Sequence, residues 1–467
     1  MTNKPKILLS EFLCGICFEL YFFAFMLIEA LINERCAATL GSDIVNTIYS
    51  FGLFCTGTGF LSFALIHKIC KAEASRKTAL LIIGMLCIAA AGVLLIADRP
   101  ITFLVSSAAV LLLTGHIGGC VHYITSMYFA GSRYAGRTLG VGMGTAILLQ
   151  FAVQKLIPHS AVFMACFFLS LSFVISFAFR APQGQTREDP HSYSYGERKK
   201  QETAAPLILA VVLMSLVAGM IDSVLTAFNA ENSYDIYSGV RLFYALGLVL
   251  AGFIADIRER SYLPLATVCV MLLSTVCMFF LSEAPSYFAG TALMYLYSGF
   301  YVMFFTLMFL DFAPKSRYPE LWAGMGRTVR SLTVAAAVLP ALKIYNAVGS
   351  TVLAVVSCLL SIGILLVLLP YIGCAVIASE QRNGAARRQE MSLQERLTLY
   401  ARRCSLTPRE TEVLERLLTT DDDLQEIADG MYISRRMVQR YVSSIYEKTE
   451  TKTRHGLLQS YMNFTAD

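Results

Sequence analysis

The sequence predicts an all-α protein: a polytopic membrane bundle of about 12 spanning helices, six plus six, followed by a small helical C-terminal domain. Three observations predict it. The chain of 467 residues is 56% hydrophobic and 15% charged, with a mean hydropathy of +0.59. Soluble domains average about 45–50% apolar and about 25% charged. Apolar stretches of about 20 residues, the length that crosses a hydrocarbon core of about 30 Å, recur through residues 1–378. Beyond them the chain turns polar and carries the capping signals of short soluble helices.

The first six stretches fall near 12–32, 44–66, 78–97, 101–121, 138–157 and 160–179. A charged loop over 180–205 follows, holding Arg187, Glu188, Asp189, Arg198, Lys199, Lys200 and Glu202. Six more stretches come near 206–228, 236–256, 263–282, 286–310, 321–341 and 350–377. The first stretch is too long for a secretory signal and lacks a small-residue cleavage site, so it is expected to be a span. Most of the 13 cysteines lie in apolar runs, where cysteine acts as a small buried hydrophobe. Cys14 and Cys17 form a C-x-x-C with no second pair, which favours core packing over metal or redox use.

Loop charges set the orientation. Alternate loops hold Lys4 and Lys6, then Lys68, Lys71, Arg76 and Lys77, then Arg133 and Arg137, then Arg198 to Lys200. The series continues with Arg258 and Arg260, Lys315 and Arg317, and Arg382, Arg387 and Arg388. The opposite loops hold little beyond Arg35, Arg99, Lys155 and Lys343. Basic residues accumulate on the cytoplasmic side. The expectation is a multi-pass protein of the cell inner (plasma) membrane with both termini cytoplasmic.

The run from Gly252 through Asp256 and Arg258 to Arg260 follows G-x-x-x-D-x-x-G-R, with Glu259 at the second glycine. With the six-plus-six layout and basic central loop, it resembles the major facilitator superfamily of transporters. The resemblance implies a cytoplasmic latch at this loop. The matching first-half loop, Gly59 to Phe63, lacks the aspartate, which weighs against a full transport cycle.

Ionisable side chains at membrane depth are costly and mark cavities or ion pairs. The first span carries Glu11, Glu19 and Glu29; His116 and His122 lie in or just after the fourth; Gln150 and Gln154 lie in the fifth. Asp222 sits in the seventh, Arg241 early in the eighth, and Arg327 and Arg330 begin the eleventh. The resemblance implies that spans one, four, seven and ten line a central cavity. Glu19, Glu29, His116, Asp222 and Tyr297 are therefore the candidate ligand contacts, beside Tyr295 and Tyr301. Mixed acidic, imidazole and phenolic groups suit a small polar or cationic ligand. The alternative is that these groups pair with one another and fix the helix packing.

A linker over 379–404 follows, with Leu393, Leu397 and Tyr400 at helical spacing; this stripe has the module, the bundle or a second copy as possible partners. The module over 405–467 opens on Thr407, Pro408, Arg409 and Glu410, a capping box with proline at the first helical position. Val413, Leu414, Leu417 and Leu418 form the apolar face of this helix. Asp423 and Glu426 cap a second helix that buries Ile427 and Ala428. After a turn at Gly430, Ser434 caps a third, with Val438, Val442 and Ile445 inward and Arg435, Arg436, Gln439, Arg440 and Ser443 outward. Two helices joined by a tight turn, the second basic at its outer start, fit a helix-turn-helix.

The run from Leu406 to Leu414, Glu426 to Ala428, Ile433, Ser434, Val438, Ile445, Lys448 and Arg454 keep the spacings of L-T-x-R-E-x-E-V-L, E-I-A and I-S with no gap. The module resembles the LuxR-type (NarL/FixJ-like) DNA-binding domain. It departs at Met437, Gln439 and Tyr441, where threonine, lysine and histidine are usual. Further departures are Thr449, Glu450 and Thr451, in place of Leu-Gly-Val, and Asp421 in place of a turn glycine. Eleven acidic residues stand against eight basic ones over 405–467. Only the recognition face is basic, so non-specific affinity is expected to be modest and salt-sensitive. Gln439 and Arg440 are the candidate base contacts, by bidentate pairing to adenine and guanine. Ser434, Arg435, Arg436, Lys448 and Lys452 are the candidate phosphate contacts, with Ser443 on the same face. The resemblance also implies a homodimer on DNA, paired through the last helix near 453–463.

The expected function is a membrane-bound, one-component bacterial transcription regulator whose membrane domain senses a small ligand and whose module binds promoter DNA. The alternatives are a secondary active transporter with an appended DNA-binding tail and a transporter with a purely structural tail. No phosphate-binding glycine loop, receiver domain or nucleophile–base constellation is present. No catalytic residue, metal or cofactor is expected, and the partners are double-stranded DNA, membrane lipid and an unknown small molecule.

Overall fold

The computed structural model describes residues 9–156, 160–181, 204–230, 239–257, 260–277, 287–349, 351–369, 397–420 and 422–462. It divides into two compact units, Met1–Ala375 and Val376–Asp467. Among the described residues every regular element is helical.

Among the described residues the first unit contains twelve helices of 15 residues or more in the expected order. The first half comprises α1 (Leu9–Leu40), α2 (Val45–Ile69), α3 (Glu73–Ile96), α4 (Pro100–Tyr128), α5 (Ala135–Leu156) and α6 (Ser160–Arg180). The second comprises α7 (Ala204–Ala230), α8 (Arg241–Ala255), α9 (Leu263–Cys277), α10 (Tyr287–Phe312) and α11 (Met325–Val348), then α12 (Thr351–Leu369). Ten of the twelve are long and apolar enough to cross a membrane, while α8 and α9 are shorter. Large apolar residues such as Leu65, Met85, Val105, Leu169, Leu359 and Leu366 stand on the outside. A hydrocarbon solvent accounts for them, since it makes an apolar exterior favourable. Cys14 and Cys17 are buried in the α1 core as free thiols.

The two halves repeat one packing scheme. α2 lies on α4 as α8 lies on α10; α3 lies on α4 as α9 lies on α10; α1 lies on α5 as α7 lies on α11. The halves meet where α2 packs on α11 and α5 on α8. Small residues allow the second contact. A Cβ on Gly140 of α5 would stand 2.7 Å from the Leu248 carbonyl oxygen and 2.9 Å from the Gly252 Cα of α8. Helices in lipid associate through such close backbone approach, because apolar side chains gain little by leaving the tails.

Beside this contact lies the aspartate of the loop motif. Asp256, at the end of α8, has a fully buried side chain and accepts from the Gly136 amide at 2.8 Å and the Arg137 amide at 2.9 Å. It thereby satisfies orphan donors at the N-terminus of α5, where the helix dipole favours an anion. Arg137 Nε donates to it at 2.8 Å and Arg260 Nη1 at 2.7 Å, while Arg260 Nε reaches Asp311 at 2.8 Å. The aspartate singled out by the loop motif thus joins the two halves. Arg258 and Glu259 of that motif lie outside the described residues.

Candidate nucleic-acid interface and membrane cavity

The C-terminal unit has its own apolar core. Its helices are α13 (Pro408–Thr419), α14 (Leu424–Gly430), α15 (Arg435–Lys448) and α16 (Arg454–Met462), preceded by a helical segment over 397–403. Val413, Leu414, Leu417, Ile427, Ala428, Val438, Val442 and Ile445 form the core, joined by Leu457 and Tyr461 of α16. The linker stripe packs on this same core. Leu397 and Tyr400 are buried in it, and the Tyr400 hydroxyl lies 2.8 Å from Ser460 Oγ. Leu393 lies outside the described residues.

Three caps fix where the helices start. Thr407 and Glu410 form a reciprocal capping box, as do Asp423 and Glu426, and Ser434 Oγ accepts from the Met437 amide at 3.3 Å. Each supplies an acceptor to amides that have no partner within the helix. The third cap sets the rotation of α15. Val438, Val442 and Ile445 then face the core, while Arg435, Arg436, Gln439, Arg440 and Ser443 are exposed along one side. Among the described residues Arg436 and Arg440 make no hydrogen bond or ion pair, so both guanidinium groups are available to a partner. Lys452 is exposed beyond the end of α15.

Lys448 is engaged inside the module. Its ammonium donates to Glu410 Oε2 at 2.7 Å, and Ser444 Oγ donates to Oε1 at 2.6 Å. The same carboxylate accepts from the Thr407 amide at 2.7 Å, so it ties the start of α13 to the end of α15. Burial alone would raise the Glu410 pKa, but the hydrogen bonds from Lys448, Ser444 and Thr407 outweigh it and hold the group down at about 2. A carboxylate held below its unfolded value stabilises the fold above that value, and the contribution is lost as the pH falls through the folded one. Glu410→Gln is expected to cost the isolated unit about 2 kcal/mol at neutral pH, after discounting for the partial exposure of Lys448. The deficit should shrink in urea titrations as the pH falls from 4.5 toward about 2. An equal deficit at both ends of that range would rule out the charge as its cause.

Arg454, legible in the sequence only as a motif position, is a clamp. Its Nε donates to the Leu417 carbonyl at 2.9 Å, its Nη1 to that of Asp422 at 2.7 Å, and its Nη2 to that of Thr420. It closes the last turn of α13 onto the start of α16. The module is held by these two partly buried polar ties, both invisible to helical periodicity because their partners are more than thirty residues apart.

In the membrane unit a cavity of about 110 Å³ opens between the halves. Glu29 of α1, Tyr49 of α2, Gln150 of α5, Asp222 of α7, Arg241 and Tyr244 of α8, Tyr301 of α10, and Arg327 and Arg330 of α11 line it. Asp222 accepts from the Tyr49 hydroxyl at 3.0 Å and stands 3.6 Å from Arg330. Arg241 Nη1 lies 3.4 Å from Gln150 Oε1. Arg327 sits between two rings, its Cζ 5.1 Å from the centroids of both Phe22 and Phe305.

The structure brings Glu29, Asp222, Tyr295 and Tyr301 together at this cavity and places Glu19, Tyr297 and His116 elsewhere. Glu19 is half-buried against Gly142 of α5. Tyr297 is buried, stacked on Tyr301, and its hydroxyl points to the Met214 carbonyl at 3.5 Å. His116 bonds Ser62 at 2.8 Å and borders a small recess with Phe63, His67 and Cys120. α4 contributes nothing to the cavity lining, whereas α8 and α11 contribute its cations. The reason lies in packing: a side chain on Gly59 or Gly115 would collide with the facing backbone of α4 or α2. That close approach turns the His116 face of α4 onto α2. Tyr49 and Tyr244 carried no signal of their own in the sequence.

Residues 404–460 match the model of the family described as bacterial regulatory proteins, luxR family. No curated protein matches the chain in sequence. Among solved structures, the human organic anion transporter MFSD10 (TETRAN) is similar in fold, with a TM-score of 0.56 at 14% identity. The match covers 79% of this chain and 100% of that one. The chain therefore joins a luxR-family helix-turn-helix domain at residues 404–460 to a multi-pass helical unit with a major-facilitator-like fold.

Proposed function

We propose that the protein is a one-component transcriptional regulator held in the inner membrane, with the α15 face reading promoter DNA and the cavity between the halves receiving a small ligand. The observation that carries this reading is the exposed row of Arg435, Arg436, Gln439, Arg440 and Ser443 on a helix whose opposite side is locked into the module core. In that reading Gln439 and Arg440 contact bases. Ser434, Arg435, Arg436 and Lys452 contact phosphates, and Lys448 supports the helix through Glu410. The basic loops favour cytoplasmic termini, which the reading requires. Pairing through α16, where Leu458 is exposed, would give a dimer on two half-sites.

The test is binding of the 380–467 fragment to DNA fragments from around its own gene at moderate salt. Selective binding is the expected result. A folded fragment that binds no fragment selectively would move the weight to a transporter with an interaction tail. The cavity gives that second reading its specific support, because carboxylates and guanidinium groups between two repeated halves also suit ion-coupled transport.

A further inference from the structure

Among the described residues the cavity has more cations than anions. Arg241, Arg327 and Arg330 line it against Glu29 and Asp222, so three positive groups face two negative ones. Asp222 is already shared between Arg330 and the Tyr49 hydroxyl, and Arg241 has a neighbour in Gln150. Arg327 is different. It is only 7% exposed, and among the described residues its Nε and Nη2 find no hydrogen-bond partner. Arg330 Nε is likewise without one among those residues.

The two unpartnered atoms of Arg327 matter as a pair, and both are buried in this arrangement, so a ligand reaches them with a shift of the side chain. Nε and Nη2 lie along one edge of the guanidinium, where two N–H bonds run parallel and match the two oxygens of a carboxylate. The rings of Phe22 and Phe305 lie beside the same group, and neither ring cancels its charge. Water would satisfy the N–H groups without cancelling the charge, and an uncompensated charge at membrane depth is costly. One surplus positive charge is cancelled by one negative charge.

Resting on the reading of this cavity as the ligand site, the geometry points to a small monocarboxylate as the class of ligand, held side-on by Arg327. This reverses the polar or cationic ligand expected from the acidic and imidazole residues, because the imidazoles lie outside the cavity and the arginines line it. Glu29 faces the same space and opposes the anion. Tyr244 and Tyr301 supply hydroxyl-bearing walls against which the rest of the ligand would be selected.

The experiment is calorimetric titration of the full-length protein in detergent with acetate, propionate and butyrate. Acetamide, methylammonium and inorganic phosphate serve as neutral, cationic and polyanionic comparisons. Saturable binding is expected for at least one carboxylate and for none of the comparisons. Arg327→Lys, which keeps the charge but loses the parallel edge, should weaken binding by about 30-fold, the size of one lost hydrogen bond to a charged group. Glu29→Gln should tighten it, so the idea stays exposed to failure even if the arginine variant does not fold. Methylammonium binding that Glu29→Gln abolishes would overturn the carboxylate assignment while leaving the cavity as a ligand site. Phosphate binding more tightly than every carboxylate would overturn the monoanion. No binding that responds to either substitution would overturn both the ligand class and the site.

Discussion

Arg440→Ala is expected to lower the selective DNA affinity of the C-terminal unit by about 10- to 100-fold, the range of one bidentate base contact, and to leave its thermal midpoint unchanged. The structural reason is that Arg440 is exposed and engages no described residue of the module, so its removal strands no partner. Its register is fixed from below. Val438, Val442 and Ile445 lock one side of α15 into the core, and the Ser434 cap fixes where the helix begins. A side chain held by that register needs little ordering when DNA arrives, which is what makes a single contact worth so much. Arg436→Ala should behave differently, weakening binding to all sequences alike and reducing the salt dependence by about one counterion. The two variants together separate base reading from phosphate contact. Unchanged selectivity in Arg440→Ala, measured against a scrambled competitor at fixed salt, would remove this residue from the reading face.

The features legible in the sequence are those that local chemistry encodes. Thr407, Asp423 and Ser434 announced their helix starts because a cap acts within three residues of itself. The spans were legible for a similar reason, since a bilayer imposes a minimum run of apolar residues on each helix separately. The cavity was not legible in this way. Its polar groups come from seven helices, and which of them meet depends on rotations set by glycine contacts such as those at Gly59 and Gly115. His116 and Glu19 had the right chemistry and depth but the wrong azimuth. Arg327 and Arg330 were visible as costly intramembrane charges, yet only the fold shows that Arg330 stands 3.6 Å from Asp222. Lys448 is a similar case on the soluble side. Its position in the motif is compatible with phosphate contact, and only the tertiary structure gives it Glu410.

Asp256→Asn is expected to be the most disruptive single change in the membrane unit, costing about 3–5 kcal/mol, as removal of one partner from a buried ion pair typically does. The side chain is fully buried and receives two amide donors from α5 as well as Arg137 and Arg260. An asparagine keeps one acceptor oxygen but turns an amide group toward donors, so the Arg137 contact and at least one α5 amide lose their acceptor, while Arg260 keeps Asp311 and the Ala255 carbonyl. The direct readout is hydrogen exchange at the Gly136 and Arg137 amides, whose protection should fall by several orders of magnitude while that of α10 stays high. Exchange confined to these sites would mean that the junction opens locally; loss of protection throughout would mean that it holds the whole bundle together. The size of the effect bears on signalling as well. About 5.5 kcal/mol converts a two-state equilibrium from 1:99 to 99:1, so a change of this magnitude is enough to shift strongly any equilibrium between arrangements of the two halves. If the halves move as the sensing reading requires, a reporter driven by the protein should lose its dependence on ligand in Asp256→Asn and regain part of it in Asp256→Glu. A variant with normal stability and unaltered Gly136 exchange would show that this carboxylate neither latches the halves nor caps α5.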